Sequence, residues 1–138
     1  MTIIQSIKTF IPFFAGLIPA GFPSPAADYV QEEIDLNKFL KGNSSATFII
    51  RVQGDSMIGA HITNNSLLIV DRSKKAVHNS IVVASINGEF TIKRLSLINK
   101  SVRLVPANPS YKPVLITEDT QFEVWGVVTN IIISTKDI

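Results

Sequence analysis

A serine and a lysine carry the chemistry that this sequence offers. Ser56 follows the strand-forming run Thr47-Phe48-Ile49-Ile50 and Val52, and it lies between Gly54 and Gly59. Glycines in those places let the backbone bend on both sides of the serine, so its hydroxyl is presented rather than packed. A serine hydroxyl is a weak nucleophile until a base takes its proton. Lys93, in the strand-like segment Gly88-Glu89-Phe90-Thr91-Ile92-Lys93-Arg94-Leu95, is the candidate base. A solvated lysine, with a pKa of ~10.4, is neutral at pH 7 in only about one molecule in several thousand. Burial against apolar groups disfavours the ammonium and lowers that pKa by up to ~3–5 units. Strand alternation places Phe90 and Ile92 on one face and Glu89, Thr91 and Lys93 on the other, so Lys93 needs an apolar cover to work as a base. The apolar arm before Ala20, with Phe10, Phe13 and Phe14, is the natural candidate for that cover. The turn after Gly54 is expected to aim the backbone N–H groups of Asp55 and Ser56 at a developing oxyanion. Asp55 and His61 suggest a rival Ser-His-Asp set, although neighbouring positions seldom place three side chains in relay. Met57 reads as a filler of the core beside the serine.

The elements that must hold these residues are mainly strands. Short β-rich runs are expected at 46–52, 66–71, 80–86, 89–95, 101–106, 113–116 and 121–133. Asn87-Gly88 between two such runs predicts a tight hairpin. Gly126, in the middle of the last run, predicts a bulge or bend. Residues 27–42 predict one or two short helices. Asp28 would cap the first, with Val30 and Ile34 on one face; Asp35 would cap the second, which carries Phe39 and Leu40 before Gly42 ends it. The class is mostly β: strongly bent antiparallel sheets with one or two short N-terminal helices. Residues 1–26 are expected to form an arm, and 27–138 the β domain.

At 138 residues the chain has room for one core. Its net charge of +2 is too small to argue for a nucleic-acid face, and Arg72, Lys74 and Lys75 read as a solvated basic loop. It has no cysteine, and its two histidines lie too far apart for a zinc motif, so neither a cofactor nor a metal is expected. The absence of cysteine suits a reducing compartment, the cytoplasm. Lys8, the apolar run Phe10–Ile18 and the small residues Ala20, Gly21, Ser24 and Ala26 also imitate a secretory signal. Pro12, Pro19, Pro23 and Pro25 weaken that reading, and the run is shorter than the ~20 residues a spanning helix needs. An arm of this kind can instead add a strand, with a proline-rich exit that stays extended.

Three motifs carry a resemblance: Gly54-Asp55-Ser56-Met57, Leu67-Leu68-Ile69-Val70-Asp71, and Gly88-Glu89-Phe90-Thr91-Ile92-Lys93. With Gly21–Val30, Ile34–Asn37 and Phe122–Val128, they resemble the Ser–Lys self-cleaving peptidase family that includes LexA and UmuD, and they cover most of the chain from Gly21 onward. The resemblance implies a LexA-like peptidase fold and a catalytic Ser56–Lys93 dyad, with Asp55 and Ser56 supplying the oxyanion donors. It implies self-cleavage between Ala20 and Gly21, where small side chains suit a narrow cleft. It also implies an SOS-response role: a homodimer, cut in the presence of a RecA–single-stranded-DNA filament, whose shortened form serves a UmuC-like translesion polymerase. No helix-turn-helix unit fits before Gly21, so sequence-specific DNA binding is not expected, nor is a membrane. A non-enzymatic polymerase-binding module, or a Ser–Lys protease resembling signal peptidases, is the alternative. The chain departs from the family at Asn65-Ser66, where relatives often carry Gly-Asp, and at Gly59-Ala60-His61, which replaces a more acidic or glycine-rich turn.

Overall fold

Alternating β-branched and aromatic residues turn nearly half of the chain after Ser44 into strands, as their packing on a pleated surface favours. The structure, a computed structural model, describes residues 10–14, 17–21, 31–42 and 44–138. Residues 1–43 and 44–138 form two compact units.

In the first unit, β1 (Phe10–Phe14) pairs antiparallel with β2 (Gln31–Asp35), Phe10 facing Asp35 and Pro12 facing Glu33. The arm therefore does supply a strand, and its partner is β2. Helix α1 (Leu36–Lys41) follows directly. Its cap is the expected Asp35, whose Oδ1 accepts from the N–H groups of Asn37 and Lys38 at 3.1 and 3.5 Å. It ends as expected at Gly42, whose φ of 58° is one that glycine adopts without strain. The helix expected from Asp28 is corrected in part. Residues 31–35 are extended, because pairing with β1 satisfies their backbone groups, and Ile34 is a strand residue. Asp28, Val30 and the expected boundary near residue 26 lie outside the described residues.

The second unit is one antiparallel sheet of seven strands: β3 (Thr47–Arg51), β4 (Leu67–Asp71), β5 (Ile81–Ile86), β6 (Glu89–Ile98), β7 (Ser101–Val105), β8 (Val114–Ile116) and β9 (Phe122–Ile132). Their order across the sheet is β3-β4-β9-β5-β6-β7-β8. The last strand thus inserts between β4 and β5 and ties the sheet together. Asn87-Gly88 makes the expected hairpin, with φ of 50° and 87° and Ile86 facing Glu89. Asn99-Lys100 makes a second of the same kind, with φ of 54° and 61°. That turn explains why β6 runs to Ile98 rather than stopping at the expected residue 95.

Strand β9 carries two register shifts, at Trp125 against β5 and at Thr129 against β4. Each bulge adds local twist, which bends a long strand. Gly126 sits beside the first, and a Cβ there would meet Val70 Cγ1 at 2.5 Å. Apolar side chains gather on the two faces of the sheet. One cluster joins Val52, Met57, Ile62, Leu68, Val70 and Val83; the other joins Val82, Ala84, Leu95 and Leu104. Val83 belongs to one face while Val82 and Ala84 belong to the other, as a strand buried on both sides requires. The first cluster reaches the turn that holds Ser56.

Candidate functional site

Ser56 lies in the turn that leaves β3. Gly54 has a φ of 102°, open to glycine and strained for other residues, and its N–H donates to Asn64 Oδ1 at 2.9 Å. Met57 is 2% exposed, so it anchors the turn in the core as expected of a filler. A short 3-10 turn, Ile58–Ala60, closes the segment. Asn65 has a φ of 71°, a conformation that asparagine shares with glycine, so the Gly-to-Asn departure keeps the backbone shape. Ser66 is buried and bonded to Thr63, its Oγ lying 3.0 Å from both the Thr63 N–H and the Thr63 hydroxyl.

Lys93 comes from the middle of β6, paired with Val82 of β5. Its Nζ lies 3.0 Å from Ser56 Oγ, 2.7 Å from Thr91 Oγ1 and 3.0 Å from the Ile92 carbonyl oxygen. The structure thus brings together the two residues singled out in the sequence. Thr91 completes the cluster. Its signal was its place two residues before Lys93, on the same face of the strand. Lys93 is half-buried, and desolvation pushes its pKa below the usual lysine value. Ser56 and Thr91 line a groove of about 340 Å³, which Ile50–Gly54 and Phe90–Ile92 flank. Lys93 and Thr91 line a second of about 510 Å³, with Leu104, Val114 and Ile86 among its walls. The Ser56–Lys93 pair therefore stands where two grooves meet.

The segment after β7 clamps the serine turn. Ala107 N–H donates to the Ser56 carbonyl at 2.9 Å, and Gly59 N–H donates to the Ala107 carbonyl at 2.7 Å. Asn108 Nδ2 donates to the Asp55 carbonyl at 3.0 Å, and the Tyr111 hydroxyl donates to Asp55 Oδ1 at 2.6 Å. That bond and the carboxylate charge raise the Tyr111 pKa. The strut is thus intact below the ordinary tyrosine pKa of ~10 and weakens only as pH climbs through the higher folded value. Gly59 is required by proximity, since a Cβ there would meet the Ala107 oxygen at 2.7 Å. No local pattern in the sequence announces Asn108 or Tyr111. The backbone N–H groups of Asp55 and Ser56, expected as oxyanion donors, bond to no other described residue. His61 ends the 3-10 turn in the left-handed region, and its side chain is exposed and bonds to no described residue. Ala20 and Gly21 are exposed, in the connection between β1 and β2.

Residues 12–129 match the Peptidase S24-like family. The chain is 42% identical to protein SamA of Salmonella typhimurium over 132 residues, which are 96% of this chain and 91% of SamA. It is 44% identical to protein MucA of Escherichia coli over 124 residues, 89% of this chain and 84% of MucA. It is also 37% identical to the LexA repressor of Syntrophotalea carbinolica, over 86% of this chain and 57% of that protein. The match runs through the Ser56 turn, β6 and the clamp alike, and the chain belongs to the Peptidase S24-like family.

Proposed function

We propose that the protein is a self-cleaving serine peptidase in which Ser56 attacks the carbonyl carbon of Ala20 and Lys93 is the general base. The observation that carries this is the environment of Lys93 Nζ. Thr91 Oγ1 and the Ile92 carbonyl accept two N–H bonds, so the third direction faces Ser56 Oγ. A neutral amine has two N–H donors and one lone pair. With both donors engaged, the lone pair points at the serine hydroxyl and can take its proton. Attack gives a tetrahedral oxyanion, towards which the N–H groups of Asp55 and Ser56 would donate. Lys93 then returns the proton to the amine of Gly21 as the Ala20–Gly21 bond breaks, leaving an acyl group on Ser56 Oγ. Water, deprotonated by the same lysine, releases it.

A tethered substrate reaches the site at a high effective concentration, which lessens the need for sequence selectivity. The chain also holds a second Ala-Gly pair, Ala15-Gly16, so the pair alone does not select the bond. We place the cut at Ala20–Gly21, which adjoins the Gly21–Val30 segment that carries the family resemblance. The exposure of Ala20 and Gly21 supports their access to a nucleophile. In this reading the protein is cytoplasmic and homodimeric, of the UmuD type. A RecA–single-stranded-DNA filament favours the cleavable arrangement of the arm, and the shortened form assists a UmuC-like translesion polymerase. Among the described residues no helix is long and apolar enough to cross a membrane.

The test is mass spectrometry and N-terminal sequencing after incubation with RecA, a nucleotide and single-stranded DNA. The expected product begins at Gly21 and is absent for Ser56→Ala. A product beginning at Gly16 would move the bond, and undiminished cleavage of Ser56→Ala would remove Ser56 from the mechanism.

A further inference from the structure

The N–H of Ser56 and the carbonyl of Asp55 belong to one peptide group. That group is planar and trans, so its C=O and N–H point in opposite directions, and fixing one end fixes the other. The Asp55 carbonyl accepts from Asn108 Nδ2 at 3.0 Å and from Ile58 N–H at 3.3 Å. Its N–H end bonds to no described residue. The orientation of the Asn108 amide is set by its other bond, in which Oδ1 accepts from Ser110 N–H at 3.0 Å. One end of this amide thus shapes its own loop while the other reaches across to the serine turn. Asp55 is held a second time through its side chain, by Tyr111.

We propose, resting on the Ser56–Lys93 reading above, that Asn108 is a positioning residue that locks the Asp55–Ser56 peptide group with its N–H towards the oxyanion. Catalysis by such donors depends on their being oriented before charge develops, so that no reorganisation is needed during the reaction. Without Asn108 the longer Ile58 bond is the one remaining hydrogen bond to the Asp55 carbonyl among the described residues. Tyr111 and Ala107 restrain the peptide group only through its neighbours, so the donor is held less firmly in one direction. Lys93 meets this segment only at Ser56 Oγ, and its bonds to Thr91 Oγ1 and the Ile92 carbonyl lie on its own strand, so loss of the lock acts on the oxyanion donor rather than on those two bonds.

Asn108→Asp removes the donor to the Asp55 carbonyl and adds a charge, so the uncharged Asn108→Ser beside it separates the two effects. The first variant keeps an oxygen for Ser110 N–H and the side-chain shape. Asn108→Ser is the second variant; its hydroxyl can still accept in a local turn but is one atom too short to reach Asp55. Self-cleavage is measured across alkaline pH without an activator. The plateau rate of both variants is expected to fall at least about tenfold, and by no more than the ~10²–10³ loss that outright removal of an oxyanion donor brings. The midpoint of the pH rise and the melting temperature should stay in place. In the uncleaved Ser56→Ala background, Asn108→Asp should also shift the backbone amide resonance of position 56. A wild-type plateau in folded Asn108→Asp, with Ser56→Ala inactive, would overturn the positioning role alone. A shifted midpoint with an unchanged plateau would overturn it too, by assigning Asn108 to the base. Equal cleavage by Ser56→Ala and the wild type would overturn the underlying reading, and the proposal with it.

Discussion

Lys93 sits in a place that suits a base and costs the fold. Desolvation lowers its pKa, so the folded chain holds that proton less tightly than the unfolded chain. Below the folded pKa both states carry the ammonium, and folding bears the full cost of half-burying it. Between the folded value and the ordinary ~10.4 the unfolded state binds more protons, so stability recovers as pH rises. Lys93→Met, in a Ser56→Ala background that prevents cutting, should therefore melt higher than its parent at pH 7. The gain should shrink towards pH ~10, which thermal melts across pH would show. Such a trade of stability for activity is common where a site needs an ill-placed charge. Thr91→Val removes one acceptor from Nζ at nearly constant volume. It should slow self-cleavage by about tenfold or more, since the lone pair is no longer directed at Ser56. Ser56 and Lys93 were legible as residues in the sequence, because a glycine-flanked turn and a strand pattern are local signals. Alternation put Thr91 on the face of Lys93 without marking it as part of the site. Asn108 and Tyr111 were not legible, since they reach Asp55 across separations of 53 and 56 residues.

Element positions were legible where turn chemistry is strict. Asn87-Gly88 and the capping Asp35 behaved as their residue types dictate, and the strands of the second unit fall close to their expected bounds. The helix expected from Asp28 gave way over residues 31–35 because a strand partner, Phe10–Phe14, lies far from it in sequence. The sequence pattern around Gly126 predicts a bend, but only packing shows its second constraint, the 2.5 Å approach that a Cβ would make to Val70 Cγ1. Gly126→Ala should cost about 1–3 kcal/mol, the usual range for forcing extra atoms into a packed site. Urea unfolding of the Ser56→Ala protein would measure it as a lower midpoint with an unchanged slope. Gly59→Ala should act differently. Its Cβ would press on the Ala107 oxygen at 2.7 Å, so it should loosen the clamp and slow cleavage more than it lowers the melting temperature.

At the scale of the whole molecule, the proposed mechanism makes chain and substrate one. The exposed Ala20–Gly21 pair lies in the first unit, and every residue of the Ser56–Lys93 cluster lies in the second. A base that is inactive while charged makes the rate of self-cleavage a direct report on Lys93. Without any activator the rate should rise about tenfold per pH unit and level off above the apparent pKa of that lysine. In the proposed mechanism, arm docking that further excludes water would move the plateau towards neutrality, and an activator would act by favouring it. A histidine base would instead reach its plateau by pH ~7–8. The deciding measurement is the self-cleavage rate of the wild type, Lys93→Ala and His61→Ala from about pH 6 to 10. The Ser56–Lys93 account predicts a rising profile for the wild type and His61→Ala, and no cleavage by Lys93→Ala. Loss of cleavage in His61→Ala, with Lys93→Ala still active, would contradict it.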